Sequence, residues 1–463
     1  MRESRGAVTR RTFLATTAAA AASGLIASPA TAATSSQPSL ARSTRANEKV
    51  NVGVVGVGGR GAEDLKGLEG TAANIVALCD CDQRRAAESL RRYPDARHYA
   101  DWRKMLDEQK DLDAVLVATP DHNHAIISIH AMRLGKHVYC EKPLAHSVWE
   151  ARQMAQAAGQ YNVATQMGTQ GHAFPGTRQA VEVIRAGAIG EVRELHVWTN
   201  RPKGYWRQGI TRPTGTPPVP QGLDWDVWLG PAPERPYNPA YVPFKWRGFW
   251  DFGTGPIGDM GIHNLDTAFW ALELTAPTSV EVKDCSPGMG SAPMKETAPS
   301  WSIIEVHFPP RSERPAVKMT WYDGGKLPPA DLFEGEPVPD TDGGSLLIGS
   351  KGKLLTRTWH GGQTPADWFV LLPRKQFADY NPPAPTLPRV ASHHAEWIDA
   401  CRGGPRPLSN FGYASVLTES LLLGNVALRV GKTIDWDPTQ MRAAGCPEAD
   451  AFLRPAFRSG WEI

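Results

Sequence analysis

A glycine-rich turn near residue 56 has the residue types and spacing to bind the phosphates of a dinucleotide. Gly56, Gly58 and Gly61 form the pattern G-x-G-x-x-G, and Gly59 and Arg60 lie inside it. The first glycine allows a tight bend, the second lets the backbone approach a pyrophosphate, and the third lets a helix pack closely on a strand. The chemistry indicated is anion binding at a helix N-terminus, where unpaired amides face the ligand.

An acidic residue further along indicates the type of dinucleotide. Asp80 lies 19 residues after Gly61, at the end of an apolar run. Its carboxylate can accept hydrogen bonds from both adenosine ribose hydroxyls and would repel a 2′-phosphate, which favours NAD over NADP. Arg84 and Arg85 follow closely, and either could hold a phosphate, so NADP is the less favoured alternative.

These residues need strands and loops to position them. Residues 49–55 form a nearly continuous β-branched run, typical of a strand buried on both faces of a parallel sheet, and residues 75–79 form a second apolar run. Three more strand-then-loop units follow, at residues 114–118, 137–140 and 164–167. Ligands bind beyond the carboxyl ends of such strands, so their loops should border the cofactor. The candidate cofactor-binding residues in these loops are Thr119, Pro120, His124, Glu141, Lys142 and Gln170.

The order of these motifs resembles the Gfo/Idh/MocA family of NAD(P)-dependent oxidoreductases. The sequence Glu141-Lys142-Pro143 is unspecific alone, but it is highly specific behind a glycine fingerprint followed by Ala118-Thr119-Pro120. The segment from Gly258 to His263 is similar to the family's D-x-x-x-H motif. The resemblance covers essentially all of residues 49–463.

The resemblance implies an α/β fold with two domains. A Rossmann domain with a parallel sheet is expected over residues 49–170. An α/β domain with a large open, mostly antiparallel sheet is expected over residues 171–463, with C-terminal segments that could return to the first domain. Strand-like and helical patterns are compatible with the second domain, at residues 191–199, 302–308, 316–321, 345–348 and 412–430. The resemblance also implies a homo-oligomer, either a dimer or a tetramer.

The resemblance places Lys142 and His263 at the substrate hydroxyl beside the nicotinamide, with Asp259 nearby. His263, whose ordinary pKa is about 6.5, is the natural base for the hydroxyl proton. Asp259 lies four residues earlier on the same helix face and could orient the imidazole or bind a neighbouring hydroxyl. Lys142 could polarise the oxygen or share the proton. Each residue also has a structural alternative: a packed helical histidine, a helix N-cap and a surface lysine in a proline turn.

Four further residues are candidate substrate contacts: His172, Trp206, Trp246 and Asp266. Residues 200–252, called the aromatic segment below, are rich in Pro, Gly and aromatic residues. Flat rings suit the apolar faces of sugars, and the alternative is that these aromatics form a small core of their own. No metal is expected, because His393 and His394 lie in a pattern typical of a helix start.

The N-terminus predicts export. Arg10-Arg11 before Thr-Phe-Leu, a short apolar run and a small-residue cleavage site near Ala32 indicate a twin-arginine (Tat) signal over residues 1–32, followed by a flexible leader over residues 33–48. The apolar run is too short to span a bilayer. The formal net charge of +2 becomes about −1 after cleavage, which argues against a nucleic-acid partner. We expect the Tat machinery as a partner and a periplasmic or extracellular location.

These features favour an NAD(P)-dependent oxidoreductase that transfers hydride between a sugar or cyclitol hydroxyl and nicotinamide. An exported enzyme has no expected pool to reoxidise NADH, so we expect a tightly bound cofactor that returns to its starting state in each cycle. A second hypothesis is redox-neutral glycoside hydrolysis, as in the related NAD-dependent α-N-acetylgalactosaminidases. A third is a non-catalytic carbohydrate-binding relative, against which the intact Lys142, Asp259 and His263 count.

Overall fold

The computed structural model describes residues 48–340, 342–357 and 365–463. The predicted Tat signal, and all but the last residue of the predicted leader, lie outside the described residues. The strands are β1 (Val50–Val55), β2 (Ala73–Cys79), β3 (Arg97–Tyr99), β4 (Ala114–Val117), β5 (His137–Glu141), β6 (Thr165–Gly168), β7 (Val192–Trp198), β8 (Ser279–Ser286), β9 (Trp301–Phe308), β10 (Val317–Tyr322), β11 (Gly344–Gly349), β12 (Gly352–Arg357), β13 (Phe369–Leu372), β14 (Ile434–Asp437) and β15 (Arg442–Ala444). The helices are α1 (Arg60–Leu68), α2 (Gln83–Arg92), α3 (Trp102–Glu108), α4 (His124–Arg133), α5 (Val148–Tyr161), α6 (Pro175–Arg185), α7 (Trp225–Leu229), α8 (Gly255–Leu272), α9 (Pro365–Trp368), α10 (His393–Cys401), α11 (Phe411–Val430) and α12 (Asp450–Leu453).

The first six strands form a parallel sheet in the order β3-β2-β1-β4-β5-β6. The two central strands are almost entirely buried, because β1 and β4 carry Val and Leu on both faces. The strand order reverses between β1 and β4, so the loops after these two strands diverge and leave a crevice at the carboxyl edge of the sheet. This crevice is where open α/β sheets bind dinucleotides.

The remaining nine strands form a second sheet in the order β13-β12-β11-β7-β10-β9-β8-β14-β15. Its neighbours pair antiparallel except β7 and β10, which are parallel. Strand β9 alternates buried and half-buried residues, which gives the sheet one face toward the core, where α8 and α11 pack. The predicted fold class, a parallel sheet followed by a mostly antiparallel one, is confirmed.

The C-terminal part of the chain returns to the first sheet. Helix α10 packs against α1, and its fully buried Trp397 and Cys401 belong to the same apolar cluster as Val52 of β1 and Leu116 of β4. Helix α11 packs against α5. The predicted boundary at residue 170 falls between the two sheets, but helices from beyond it complete the core of the first.

Helix α11 joins the two sheets. It is long and apolar enough to cross a membrane, but 83% of its apolar stretch is buried inside the protein, as expected of a core helix. Asn410 caps its N-terminus through the Gly412 and Tyr413 amides. The helix is capped at its C-terminus by Gly431, whose φ of 73° is left-handed and whose N–H donates to the Ala427 carbonyl.

The contact between α1 and the glycine turn makes a testable prediction. A Cβ added at Gly61 would lie 1.7 Å from the Gly56 carbonyl oxygen, so α1 would have to move away from the sheet. We expect Gly61→Ala to lower the free energy of unfolding by about 1–3 kcal/mol. The matched control is Gly159→Ala in α5, where a Cβ meets nothing within 4 Å and should add about 0.5–1 kcal/mol. Urea unfolding of both variants tests this, and equal stability of the two would contradict it.

Candidate active site

A cavity of about 560 Å³ lies at the carboxyl ends of the parallel strands. It brings together the three predicted catalytic residues Lys142, Asp259 and His263. It is also lined by most of the predicted cofactor-binding residues: Gly56, Gly58, Gly59, Arg60, Asp80, Thr119, Pro120, Glu141, Lys142 and Gln170. Residues that are up to 207 positions apart in the sequence therefore share one space.

The glycine turn has the shape that a pyrophosphate requires. Gly56 has a φ of 83°, and a Cβ there would lie 2.7 Å from the Ala118 carbonyl oxygen. Helix α1 begins at Arg60, and in this described part of the chain no side chain caps its N-terminus. Its first amides are therefore available to an anion in the cavity, and the residues present fit the phosphates of a dinucleotide. Gly61 does not line the cavity; it allows α1 to approach the strand.

Asp80 lies at the end of β2 and is held against the glycine turn. Its Oδ2 accepts hydrogen bonds from the Val57 N–H at 3.0 Å and the Gly58 N–H at 3.2 Å, and its Oδ1 accepts one from the Asp82 N–H at 2.9 Å. Burial raises the pKa of Asp80, and these three donors oppose that effect. The carboxylate is thus fixed at the rim of the cavity where the ribose of a dinucleotide would lie.

Arg84 and Arg85, either of which could hold the 2′-phosphate of NADP, differ in their environments. Arg84 is bound to Asp82 through hydrogen bonds of 2.8 Å and 2.7 Å, and it does not line the cavity. Arg85 lines the cavity, and a Cβ on Gly59 would lie 3.4 Å from its terminal nitrogen. Of these two side chains, Arg85 is the one that could contact a 2′-phosphate.

Glu141 ties the end of β5 to its neighbours. Its Oε1 accepts hydrogen bonds from Gln170 Nε2 at 2.6 Å and from Arg60 Nε at 3.2 Å, and its Oε2 accepts one from the Lys142 N–H at 3.2 Å. Burial raises the pKa of Glu141, and the nearby Asp64 raises it further, while Arg60 opposes both. These contacts fix the backbone from which the Lys142 side chain enters the cavity.

Three cations surround the Asp259 carboxylate. Lys142 Nζ donates to Asp259 Oδ1 at 2.8 Å and to the Asp259 main-chain oxygen at 2.9 Å. Arg201 Nη1 donates to Oδ2 at 2.7 Å, and Arg247 Nε donates to Oδ1 at 3.3 Å. Burial alone would raise the pKa of Asp259, but the three cations outweigh it and hold the pKa well below its ordinary value. Asp259 is therefore an anion at neutral pH.

His263 lies one turn after Asp259 on α8 and lines the same cavity. Its Nδ1 lies 3.4 Å from the Thr169 hydroxyl oxygen. Burial lowers the pKa of His263 well below its ordinary value, and Lys142 lowers it further. The imidazole is thus neutral at neutral pH. The ordinary pKa assumed from the sequence is too high for this site, and the lowered pKa keeps the imidazole in its proton-accepting form.

Arg201 and Arg247 were missed by sequence reasoning. Both lie in the aromatic segment and line the cavity. The available signal was an arginine beside an aromatic residue in a segment expected to face a sugar, as in Trp246-Arg247. Nothing local connects Arg201 to a carboxylate 58 residues later, so the contact with Asp259 required the fold.

His124 supports the cavity from outside its lining. It is 1% exposed, and both ring nitrogens face carbonyl oxygens, Nδ1 that of Pro143 at 2.8 Å and Nε2 that of Thr119 at 2.9 Å. Burial would lower the pKa of His124, but Cys140, Asp121 and the Pro143 carbonyl raise it, to about 10. His124, a predicted cofactor contact, lies outside the cavity lining and joins the two loops that carry Thr119 and Lys142.

Three predicted substrate contacts lie outside the cavity lining. His172 and Asp266 are buried and bonded to each other, with His172 Nδ1 2.9 Å from Asp266 Oδ2. Tyr413 donates a hydrogen bond of 2.7 Å to Asp266, and Trp270 stacks on the His172 ring at 4.0 Å. Trp206 is buried behind the lining, where its Nε1 donates to Gln208. These residues pack the interior. Asp266 and Trp206 have partners there, and His172 is bonded through Nδ1, whereas its buried Nε2 has no hydrogen-bond partner among the described residues.

The aromatic segment divides between the two alternatives that the sequence left open. Most of its rings form a small core of their own, in which Trp225 stacks on Trp228 at 4.6 Å and Tyr241 packs edge-on against Phe252. A few rings line the cavity, including the predicted substrate contact Trp246, and also Tyr205, Phe244 and Trp228.

His393 and His394 have structural partners. His393 Nε2 lies 2.8 Å from the Met167 carbonyl oxygen, while His394 stacks on Tyr139 and approaches Asp64 at 3.2 Å. In the part of the chain that the structure describes, no group of three His, Cys, Asp or Glu side chains is arranged to hold a metal. All six cysteines lie in this part, and none forms a disulfide.

Comparison with known proteins decides the family. A profile of the oxidoreductase family with an NAD-binding Rossmann fold, Gfo/Idh/MocA, matches residues 50–169, and a profile of the C-terminal α/β domain of this family matches residues 178–301. Together they cover more than half of the chain. The chain belongs to the Gfo/Idh/MocA oxidoreductase family.

Other members of the Gfo/Idh/MocA family resemble it over part of their length. Levoglucosan dehydrogenase from Pseudarthrobacter phenanthrenivorans is 35% identical over 192 residues, 41% of this chain and 40% of that protein. Inositol 2-dehydrogenase from Salmonella typhimurium is 28% identical over 151 residues, 32% of this chain and 45% of that protein. The matched region therefore spans less than half of each curated relative.

A solved structure supports the fold. GenD2 from gentamicin A biosynthesis, determined in complex with NAD, superposes with a TM-score of 0.55 over 86% of this chain and 99% of that one, at 20% identity. At this identity the similarity establishes the fold alone.

The positions of Asp80 and Arg85 predict how cofactor preference can be changed. Asp80→Ser removes the charge that repels a 2′-phosphate, so the affinity for NADP relative to NAD should rise by ~10-fold or more. Adding Arg85→Gln should cancel the gain, whereas adding Arg84→Gln should not, because Arg84 is bound to Asp82 outside the lining. Calorimetric titration of both dinucleotides measures the ratio. An unchanged ratio in Asp80→Ser would contradict the assigned position of the ribose.

Proposed function

We propose that this protein is an NAD-dependent oxidoreductase that acts on a hydroxyl of a sugar or cyclitol. The observation that carries the proposal is that Lys142 and His263 line the same cavity as the glycine turn and Asp80. When bound, the nicotinamide accepts hydride from the carbinol carbon and returns it in the reverse reaction. The protein supplies the proton transfer, the orientation of the hydroxyl and the exclusion of water.

His263 is the proposed base for the hydroxyl proton. Its lowered pKa keeps the imidazole neutral, so it can accept a proton as the carbinol carbon loses hydride. The Thr169 hydroxyl, 3.4 Å from Nδ1, helps to fix the ring. The position and the protonation state of His263 therefore both suit oxidation of the substrate hydroxyl.

Lys142 is the proposed electrostatic partner of the reacting oxygen. Its Nζ is held by two Asp259 oxygens, at 2.8 Å and 2.9 Å, so it has one defined position. An ammonium so placed stabilises negative charge that develops on the hydroxyl oxygen, without reorganisation during the reaction. Asp259 thus acts as a positioning residue for Lys142 in addition to any contact with substrate.

We further propose that NAD is held tightly. The aromatic segment hydrogen-bonds across the loop that follows β2: the Asp224 N–H donates to the Cys81 carbonyl at 2.8 Å, and the Gln83 N–H donates to the Gly222 carbonyl at 2.9 Å. Trp228 and Val227, a few residues later, line the cavity next to Asp80 and Cys81. A cofactor in the crevice would be enclosed between the glycine turn and this segment, and its release would require these contacts to break.

Tight binding agrees with the proposed export. Folded transport by the Tat pathway, proposed on Arg10 and Arg11, would carry NAD out with the protein to a periplasmic or extracellular location. There, oxidation of one sugar coupled to reduction of another would restore the cofactor without an external pool. The homo-oligomer is likewise a proposal, and we place its interface on the outer face of the second sheet, where charged side chains such as Glu194, Lys318 and Glu305 lie side by side.

The assigned base predicts the pH dependence of turnover. Because the pKa of His263 is lowered, kcat for sugar oxidation should stay constant as the pH falls through 6.5. It should decline only when the pH approaches the lowered pKa of His263. His263→Ala should lower kcat by ~10²-fold or more and remove this acidic decline, with NAD binding unchanged. Steady-state kinetics over a panel of sugars and cyclitols test both statements.

Two results would exclude this assignment. Unchanged turnover in His263→Ala would remove His263 as the base. Release of an aglycone from nitrophenyl glycosides without net NADH formation would select the glycosidase alternative instead.

Cofactor retention can be tested through one backbone hydrogen bond. Asp224 caps α7 through the Val227 N–H and also donates its own N–H to Cys81. Asp224→Ala removes the cap alone, whereas Asp224→Pro removes the cap and the N–H donor. We expect NAD to dissociate from Asp224→Pro about 10-fold faster than from Asp224→Ala, the effect of one lost hydrogen bond. Dilution of the NAD-loaded protein, followed by fluorescence, gives both rates. Rapid exchange in the unmodified protein would refute tight binding.

A further inference from the structure

We propose that the substrate of this site carries an oxyanion, a carboxylate or a phosphate, and that Arg201 and Arg247 bind it. This inference rests on the proposed function, because it names the class of sugar on which the same cavity acts. The two guanidinium groups lie on opposite oxygens of one carboxylate, Asp259. Both arginines also line the cavity.

Each guanidinium has one nitrogen, Nη2, that does not donate to Asp259, Asp342 or the Phe244 carbonyl. Arg201 uses Nη1 for Asp259 and Nε for Asp342, the latter at 3.2 Å. Arg247 uses Nε for Asp259 and Nη1 for the Phe244 carbonyl, at 3.1 Å. Among the described residues, no carboxylate or carbonyl accepts a hydrogen bond from either Nη2, and neither Nη2 is a fully buried atom without a partner; the Arg201 guanidinium also interacts with the Tyr205 hydroxyl. Two accessible N–H₂ groups therefore remain beside Lys142, and paired donors of this kind suit an oxyanion.

The charges around them do not cancel. Lys142, Arg201 and Arg247 are positive, and the carboxylates bonded to them are Asp259 and Asp342, which leaves one positive charge in excess.

Two further carboxylates near the cavity have partners outside the Asp259 cluster. Glu141 is paired with Arg60 at 3.2 Å, and Arg60 also pairs with Glu63 and Asp64. Asp121 accepts a hydrogen bond from Thr254 and faces the positively charged His124, whose pKa its charge helps to raise. The uncompensated charge thus lies at the substrate end of the cavity, where a substrate anion would complete the balance.

Aromatic rings hold the two arginines in place before any ligand binds. The Arg247 guanidinium lies 4.0 Å from the centre of the Phe244 ring and 4.3 Å from that of Trp246, and Arg201 lies 4.4 Å from that of Tyr205. Tyr205 also donates a hydrogen bond to Asp342 at 2.9 Å. Such contacts restrict the side chains, so binding an anion costs little conformational entropy. A neutral sugar could offer these donors hydroxyl oxygens but would leave the positive charge without a counter-charge.

The test compares sugars that differ only in charge. The panel is D-glucuronate, D-galacturonate and D-mannuronate, each with its parent aldose, together with glucose 6-phosphate. With NAD-loaded protein we expect kcat/KM for the acid of the correct configuration to exceed that for its aldose by ~10²-fold. A preference for glucose 6-phosphate over glucose would identify phosphate as the source of the same oxyanion chemistry.

Variants connect the preference to the arginines. Arg247→Gln should lower the ratio of kcat/KM for the acid to kcat/KM for its aldose by at least ~10-fold. Arg247→Lys keeps the charge but loses the planar guanidinium, so its ratio should lie between those of Arg247→Gln and the unmodified protein. Arg212→Gln is the matched control, because Arg212 belongs to the same segment but is exposed and pairs with Glu296 outside the cavity. NAD binding and circular dichroism of each variant verify that the fold is intact.

A binding measurement decides the outcome even if no compound is turned over. Calorimetry of the NAD-loaded protein should show that at least one charged sugar binds ~10-fold more tightly than its neutral parent, and that Arg247→Gln removes the difference. Equal binding or turnover of charged and neutral sugars, or a ratio unaffected by Arg247→Gln, overturns the inference and leaves the proposed function intact. Failure to bind NAD would refute the proposed function itself.

Discussion

The arrangement of this protein depends on one buried carboxylate. Asp259 is removed from water on α8, and the cost of burying its charge is offset only by cations that reach it from separate parts of the chain. Lys142 comes from the loop after β5, Arg201 follows β7, and Arg247 comes from the aromatic segment. The first sheet, the second sheet and the segment between β7 and α8 must therefore meet at one point. Removing any one of these cations would leave the buried Asp259 carboxylate with fewer partners.

The position of Asp259 is set by close helix packing. Helix α8 approaches α11 so closely that a Cβ on Gly261 would lie 2.9 Å from the Leu421 side chain, and α11 packs in turn on α5 of the Rossmann domain. Gly261 thus lets α8 come close to α11, while Asp259 and His263 on either side of it face the cavity. One short motif carries both the packing and the chemistry.

The features that could be predicted from the sequence are those that a local pattern of residues determines. The parallel strands, the glycine turn, the acid after β2 and the long helix α11 each depend on neighbouring residues, and they appear within a few residues of the predicted positions. The roles of His124, His172 and Asp266 were harder to predict, because a loop or helix position does not reveal which side chains already have buried partners. Arg201 and Arg247 could not be found at all, since their significance depends on a distant carboxylate.

The aromatic segment contacts both the proposed cofactor part and the proposed substrate part of the cavity. Its middle part crosses the loop after β2 through Gly222 and Asp224, and its two ends carry Arg201 and Arg247 to Asp259. A movement large enough to release a dinucleotide would break the hydrogen bonds of Gly222 and Asp224. It would also disturb the contacts of the two arginines with Asp259. In the proposed reaction, the same folded segment would enclose the cofactor and shape the substrate end of the cavity. Such coupling favours a cycle in which sugars exchange while the cofactor and the segment stay in place, and it disfavours one in which a new cofactor enters at each turnover.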